Sequence, residues 1–332
     1  MKILTIKAAT ELLAKGEVIA IPTETVYGLA ADARCDNAVG KIFKAKGRPS
    51  DNPLIIHIGD VTQVDELVTT ISSEARLLMA HFWPGALTII LPSSGVVSKL
   101  ATAGLPTIAL RMPNHPLALE LLQTSGIPLA APSANLSGKP SPTNYKHVIH
   151  DMEGRIFGVI NGGDCEVGLE STIIDMTSTV PVILRPGSIK KEDIEEIIGS
   201  VEVARDSHEK PKAPGMKYRH YAPNAKLIIV KGSLKFIQSI VQVYAKKKYG
   251  LKVGVLCPTT HEELYEKGQV VRGIKTTGEN LYAVLREFDQ KNVDVILCEY
   301  FDDVAVMNRL MKASENRILT EHSVKEQILS EN

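Results

Sequence analysis

Residues 46–57 read KGRPSDNPLIIH and set Lys46 and Arg48 on either side of a glycine, with prolines at 49 and 53. Each proline steers the residue before it, Arg48 and Asn52, away from the helical region, so the cations stand on a stiff segment rather than a mobile coil. Such a loop entering a short strand suits an anion; a solvated basic turn ahead of a core strand explains these twelve residues equally well. Alternation over 54–57 places Ile55 and His57 on one face, Leu54 and Ile56 on the other. Arg111 and Arg185 end the apolar runs TIALR and VILR, each close to a proline. A guanidinium in that position needs an anionic partner, a structural carboxylate or a ligand, because burying it unpaired is costly. Hydroxyls gather in PTETVYGLAADA (22–33), with Thr23, Thr25, Tyr27 and the acidic Glu24, and in APSANLSGKPSPT (131–143), with Ser133, Asn135, Ser137, Ser141 and Thr143. For any single threonine, pinning its own turn is the plainer explanation. No nucleophile elbow, HExxH, P-loop or dinucleotide fingerprint is present. Anion and hydroxyl contacts without a nucleophile suit phosphoryl or nucleotidyl transfer, where positioning and charge neutralisation do most of the catalysis. These residues do not by themselves name a substrate.

The elements that must hold them follow from the pattern. At 332 residues the chain is long for one core, and two domains are expected. Helices are predicted over 8–15, 37–45 (with Asp36 as N-cap), 61–68, 73–81, 114–123 and 191–198. Strands are predicted over 18–21, 54–58, 86–91, 107–111, 128–131, 155–160, 171–175 and 182–184, and Trp83 is expected in a core or at a domain edge. Residues 205–224 are charged, punctuated by proline and carry Tyr218, His220 and Tyr221, which marks a linker richer in aromatics than a passive one. Beyond it, strands over 227–230, 253–257, 269–273 and 293–299 alternate with helices over 234–244, 262–267, 279–290 and 304–312. That is a small open α/β domain with a largely parallel sheet. The expected division is 1–204, 205–224 and 225–332.

Lys and Arg total 38, as do Asp and Glu. Zero formal charge argues against bulk nucleic-acid binding, while a local basic concavity stays open. Cys35, Cys165, Cys257 and Cys298 are far apart and form no CxxC pattern, which argues against disulfides and structural zinc and for a reducing compartment. With no signal-type apolar block and no run of membrane-spanning length, a cytoplasmic location is expected.

The strings PTETVYGLAADA, KAKGRPSDNPLIIHI, FWPGALTIIL, TIALRMPNHP, PLAAPSANLSGKPSPT, GLESTIID and ILRPGSI resemble, in order, the YrdC-like domain of threonylcarbamoyl-AMP synthases. APGMKYRHYAPN resembles the linker of the long, two-domain form, with Ala213 standing where serine is the usual residue, and the tail resembles its extra domain. The resemblance implies a twisted open mixed sheet with helices, plus a smaller Rossmann-like parallel α/β domain. It implies an enzyme that joins L-threonine, bicarbonate and ATP into threonylcarbamoyl-AMP and pyrophosphate, the adenylate serving threonylcarbamoyl modification of tRNA adenosine. Position by position, Thr25, His57, Arg111, Ala131 and Ser171 would contact threonine or its carbamate. Arg48, Asn52, Thr107, Ser133, Ser141, Arg185 and Asn224 would contact the nucleotide, with Lys46 and Arg48 supplying catalytic charge. Tyr218, His220 and Tyr221 would form a lid. Mg²⁺ would arrive with the ATP phosphates, without protein ligands, and a downstream tRNA threonylcarbamoyl transferase complex would take the product. A non-catalytic tRNA or double-stranded RNA binding module is the rival, disfavoured by neutral charge and the lack of stacking motifs; a weak RNA contact beside catalysis stays open. Hydrogenase-maturation carbamoyl transferases share the domain, but their acylphosphatase and zinc-finger portions are not visible in this sequence.

Overall fold

Short apolar runs of three to six residues, broken by proline and glycine, build the sheets of this protein rather than long strands. The computed structural model describes residues 1–204, 220–245, 251–265, 269–275 and 277–323. Two units are distinguished, Met1–Ser137 with Ser141–Tyr218 and Gly138–Pro140 with Arg219–Asn332. Tyr218 and Ala213 lie outside the described residues.

The first unit runs β1 (Lys2–Ile3), α1 (Ile6–Ala14), β2 (Ile19–Ile21), β3 (Gly28–Asp32), α2 (Asp36–Lys46), β4 (Ile55–His57), α3 (Val64–Leu67), α4 (Ser73–Phe82), β5 (Leu87–Pro92), β6 (Thr107–Arg111), α5 (Pro116–Ser125), β7 (Leu129–Ala130), α6 (Tyr145–Met152), β8 (Gly158–Val159), β9 (Thr172–Asp175), β10 (Val182–Arg185), α7 (Lys191–Ile198) and β11 (Glu202–Val203). Its mixed sheet has the order β1-β8-β2-β3-β7-β4-β6-β5-β9-β10-β11. Parallel β4–β6 and β5–β9 alternate with antiparallel β4–β7, β5–β6 and β9–β10. Leu54, Ile56 and Ile58 face the main core with Leu87, Ile89 and Leu110, while Ile55 turns to the opposite face with Ile90, Ala109 and Ile173. The predicted alternation therefore holds. Trp83 is in the main core, its Nε1 donating to the Leu87 carbonyl at 2.8 Å.

Several expectations are corrected. Residues 28–32, where no strand is predicted, form β3, paired antiparallel with both β2 and β7. Gly and Ala carry little strand propensity, but their small side chains let α2 pack closely on this strand. Helix α6 was not predicted; Asn144 caps it by accepting from the His147 amide at 3.0 Å, and Val148 and Met152 bury its inner face. Cys35, not Asp36, is the N-cap of α2, and the Asp36 carboxylate instead accepts the Ser98 hydroxyl. The helix predicted over 61–68 divides into a 3-10 turn, Val61–Gln63, and α3, the turn set by an Asp60–Gln63 capping box.

The second unit contains β12 (Lys226–Lys231), α8 (Leu234–Ala245), β13 (Val253–Pro258), β14 (Val270–Ile274), α9 (Leu281–Gln290), β15 (Val295–Glu299), α10 (Val304–Ser314) and β16 (Ile318–Thr320). Its sheet, ordered β14-β13-β15-β12-β16, is parallel at every pairing. Of the helix predicted over 262–267, residues 262–264 belong to a 3-10 turn, Thr259–Leu264, while 266 and 267 lie outside the described residues, and β16 was not foreseen. The same unit holds the short tip Gly138–Pro140: the Ala222 amide donates to the Gly138 carbonyl at 2.8 Å, Lys139 bonds the Asn224 side-chain oxygen, and Arg286 donates to the Pro140 carbonyl.

Candidate active site

Register builds the site. His57 is paired with Arg111 across β4–β6, Ile89 with Leu110 across β5–β6, and Thr88 with Ile173 across β5–β9. Thr88 is thus next in line to Arg111. On β10 the register shifts, so that Ile183 faces Ile174 but Arg185, not Leu184, faces Ile173. This bulge turns Arg185 onto the face of Ile173. One row across five strands therefore carries His57, Arg111, Thr88, Ile173 and Arg185. Beside it lies the apolar floor of Ile55, Ala109, Ile90 and Ile173. Thr107 shares a face of β6 with Arg111 but sits four residues earlier, roughly 13 Å along a strand. Polar groups thus stand at both ends of an apolar floor.

At the Arg111 end the guanidinium is buried. Nε donates to the Gly85 carbonyl at 3.1 Å and Nη1 to Thr25 Oγ1 at 2.9 Å. Nη2 lies 2.7 Å from Glu24 Oε1. The turn that presents Thr25 is pinned by Thr23, whose hydroxyl donates to the Val26 carbonyl at 2.6 Å and accepts from the Thr25 and Val26 amides. Tyr27 donates to the Gly163 carbonyl at 2.8 Å and accepts from the Gly162 amide at 3.0 Å; burial raises its pKa. Of the three hydroxyls noted in this segment, two brace structure and Thr25 meets Arg111. His57 Nδ1 is buried with no hydrogen-bond partner. Burial, then the Arg111 charge, lowers the imidazole pKa to about 3, so His57 is a neutral group at physiological pH.

At the β9 end, Arg185 Nε and Nη2 donate to the Ser171 carbonyl at 3.0 and 2.9 Å, and Nη2 also reaches Ser171 Oγ at 3.1 Å. Ser171 Oγ in turn lies 2.7 Å from Thr88 Oγ1. The Ala131 amide donates to the Ile55 carbonyl at 2.9 Å, which sets Ala131 beside the floor.

A third group gathers around 131–143. The buried Lys46 ammonium donates to the Asn135 carbonyl at 2.8 Å and to the Ser133 carbonyl. Burial, then the Arg48 charge, pushes the Lys46 pKa well below the usual lysine range, with Asp151 and Glu170 pulling the other way. Lys46, expected near phosphates, is thus fastened to the main chain of the serine loop. Ser141 donates to Glu170 Oε1 at 2.6 Å, and Arg48 Nη2 reaches the carbonyl of the buried Asn52 at 3.3 Å. Asn224, His220 and Tyr221 belong to the second unit, where Tyr221 is buried and stacked on Tyr282, ring centroids 5.4 Å apart.

Sequence reasoning gave no role to Glu24, Thr88 or Glu170. A carboxylate in PTET or GLEST, between apolar strands, had to be buried beside a cation or hydroxyl, and that was the available signal. Among the described residues no three His, Cys, Asp or Glu side chains gather as a metal site, and no helix is long and apolar enough to cross a membrane.

A family model described as telomere recombination matches residues 11–187, and one described as threonylcarbamoyl-AMP synthase, C-terminal domain, matches residues 189–315. The threonylcarbamoyl-AMP synthase of Bacillus subtilis is 50% identical over 327 residues, 95% of this chain and 94% of the relative. That of Schizosaccharomyces pombe is 40% identical over 344 residues, 89% of this chain and 84% of the relative. Among solved structures, Pyrococcus abyssi Sua5 complexed with L-threonine matches with a TM-score of 0.90 at 46% identity, over 96% of each chain. With agreement of sequence and fold over nearly its whole length, the chain belongs to the threonylcarbamoyl-AMP synthase family.

Proposed function

We propose that the protein joins L-threonine, bicarbonate and ATP into threonylcarbamoyl-AMP and pyrophosphate, in the cytoplasm, for a tRNA-modifying transferase. The observation that carries this reading is the row His57–Arg111–Thr88–Arg185 along one apolar floor, with cations towards both edges. Arg111 keeps one N–H on Nη1 beyond its bond to Thr25 and takes the threonine carboxylate as a charge-assisted pair. Thr25 and the neutral His57 meet the rest of the amino acid, and Ala131 and Ser171 border it. A buried polar site of this kind rejects analogues that lack the hydroxyl more sharply than an apolar pocket.

The nucleotide lies towards Arg48, Asn52, Thr107, Ser133, Ser141 and Arg185. The threonine carbamate is itself an anionic nucleophile: one of its oxygens attacks the α-phosphorus, the bond to the pyrophosphate oxygen breaks, and no enzyme-bound intermediate forms. Arg48 and Arg185 supply positive charge to the phosphates, and Lys46 holds the serine loop. Mg²⁺, brought by the ATP phosphates, would neutralise phosphate charge.

Pyrophosphate release measured with threonine and bicarbonate omitted in turn tests the whole assignment. Release is expected only with both present, and release independent of either overturns it.

A further inference from the structure

Glu24 is the carboxylate that meets Arg111, and its bonding is incomplete. Its side chain is 6% exposed and that of Arg111 4%, with Oε1 2.7 Å from Nη2. Yet neither Glu24 oxygen, nor Arg111 Nη2, has a partner in hydrogen-bond geometry. A structural ion pair this deep normally fills its remaining lone pairs, because the desolvation of both charges must be offset. Glu24 cannot readily turn elsewhere. Thr23 and Thr25 on either side are fixed by the bonds described above, and its own carbonyl accepts the Val167 amide at 2.8 Å. The charged and titratable groups facing it are Arg111 and the Cys165 thiol, with Asp164 next to Cys165 and His57 beyond Arg111. Burial, then Glu24 itself, pushes the thiol up to about 12, so Cys165 stays protonated at neutral pH.

This deepens the proposed function and rests on it. An amino acid carries its ammonium one carbon from its carboxylate. With the carboxylate on Arg111, the ammonium falls beside the nearest anion, whose acceptor sites are open. We propose that Glu24 receives the α-ammonium of threonine and removes its proton, acting as the general base of the carboxylation step. One proton passes from nitrogen to the carboxylate, leaving a neutral amine. The amine nitrogen then bonds the bicarbonate carbon while one C–O bond breaks, and the hydroxyl leaves as water with a second amine proton. The product is the N-carboxylate that attacks ATP, and Glu24 later returns its proton to solvent.

The test uses the full chain with Glu24→Gln and Glu24→Asp, following threonine- and bicarbonate-dependent pyrophosphate release from pH 6.5 to 9. The Gln variant is expected to lose about 10²–10⁴-fold in kcat/KM for threonine at neutral pH. Its rate should climb about tenfold per pH unit as free amine replaces ammonium in solution. The Asp variant, still a base, should run slower but keep the wild-type profile. A Gln variant within tenfold of wild type, or one depressed by the same factor at every pH, overturns the proposal. An Asp variant that acquires the same steep pH dependence overturns it too, and this arm decides the matter if the Gln variant does not melt cooperatively. Failure of the broader function shows separately, as wild-type release that ignores threonine or bicarbonate.

Discussion

His57 and Arg111 face each other across the parallel pair β4–β6, and the buried imidazole, its pKa lowered to about 3 from 6.5, stays neutral beside the guanidinium. Between those two values the unfolded chain binds a proton at His57 that the folded chain refuses. Stability therefore rises with pH from about 3 to 6.5, and this contribution is flat above that window. Replacing His57 by Asn removes the titration. The slope of unfolding free energy against pH, from urea melts at pH 4, 5, 6 and 7, should fall by up to about 1.4 kcal/mol per pH unit. An unchanged slope would show that the folded imidazole protonates like an exposed one.

The Glu24–Arg111 contact predicts strong coupling. Arg111→Ala leaves a buried carboxylate without its cation and should cost about 3–5 kcal/mol in urea denaturation. Adding Glu24→Gln to an Arg111→Met background removes the stranded charge, so the double variant should be more stable than the sum of the single changes by at least about 1 kcal/mol. Additive behaviour would mean that the two charges do not sense one another.

How much of this was legible in the sequence depends on the distance over which each residue is set. Thr107–Arg111 and Lys191–Ile198 were read with their observed ends, because proline brackets the one and amphipathic spacing marks the other. Ile55 and His57 were placed on one face because alternation is local. β3 was missed because Gly-Leu-Ala-Ala-Asp has no strand preference of its own and becomes a strand through β2, β7 and α2. Arg185 was recognised as a strand-end cation, but the bulge that aims it is a property of two strands together. Lys46 and Ser133 are 87 residues apart, so no reading of 46–57 alone could show that the ammonium would go to a main-chain carbonyl rather than outwards.

Arg185 carries a prediction that separates charge from geometry. Its planar fork places Nε and Nη2 on one carbonyl, that of Ser171, with Nη2 also on the hydroxyl. Lysine keeps the charge but cannot make both bonds. Arg185→Lys should loosen Ser171 and, with the nucleotide placed as proposed, raise KM for both threonine and ATP. A rise for ATP alone would limit Arg185 to the nucleotide side.

Lys46 tests whether the serine loop needs a brace. Its ammonium is buried, 2.8 Å from the Asn135 carbonyl and bonded to that of Ser133. Hydrogen bonds to a charged group are each worth about 1.5–3 kcal/mol. Methionine matches the length of the stem but donates nothing, so Lys46→Met should lower stability by a few kcal/mol. It should also raise KM for ATP, because the main chain at Ser133 and Asn135 would no longer be held. If Lys46 instead acts on the reacting phosphates, kcat should fall steeply while the melting curve and the ATP KM stay near wild type. Measuring Tm, kcat and KM on the one variant distinguishes a lysine that positions the loop from one that touches the chemistry.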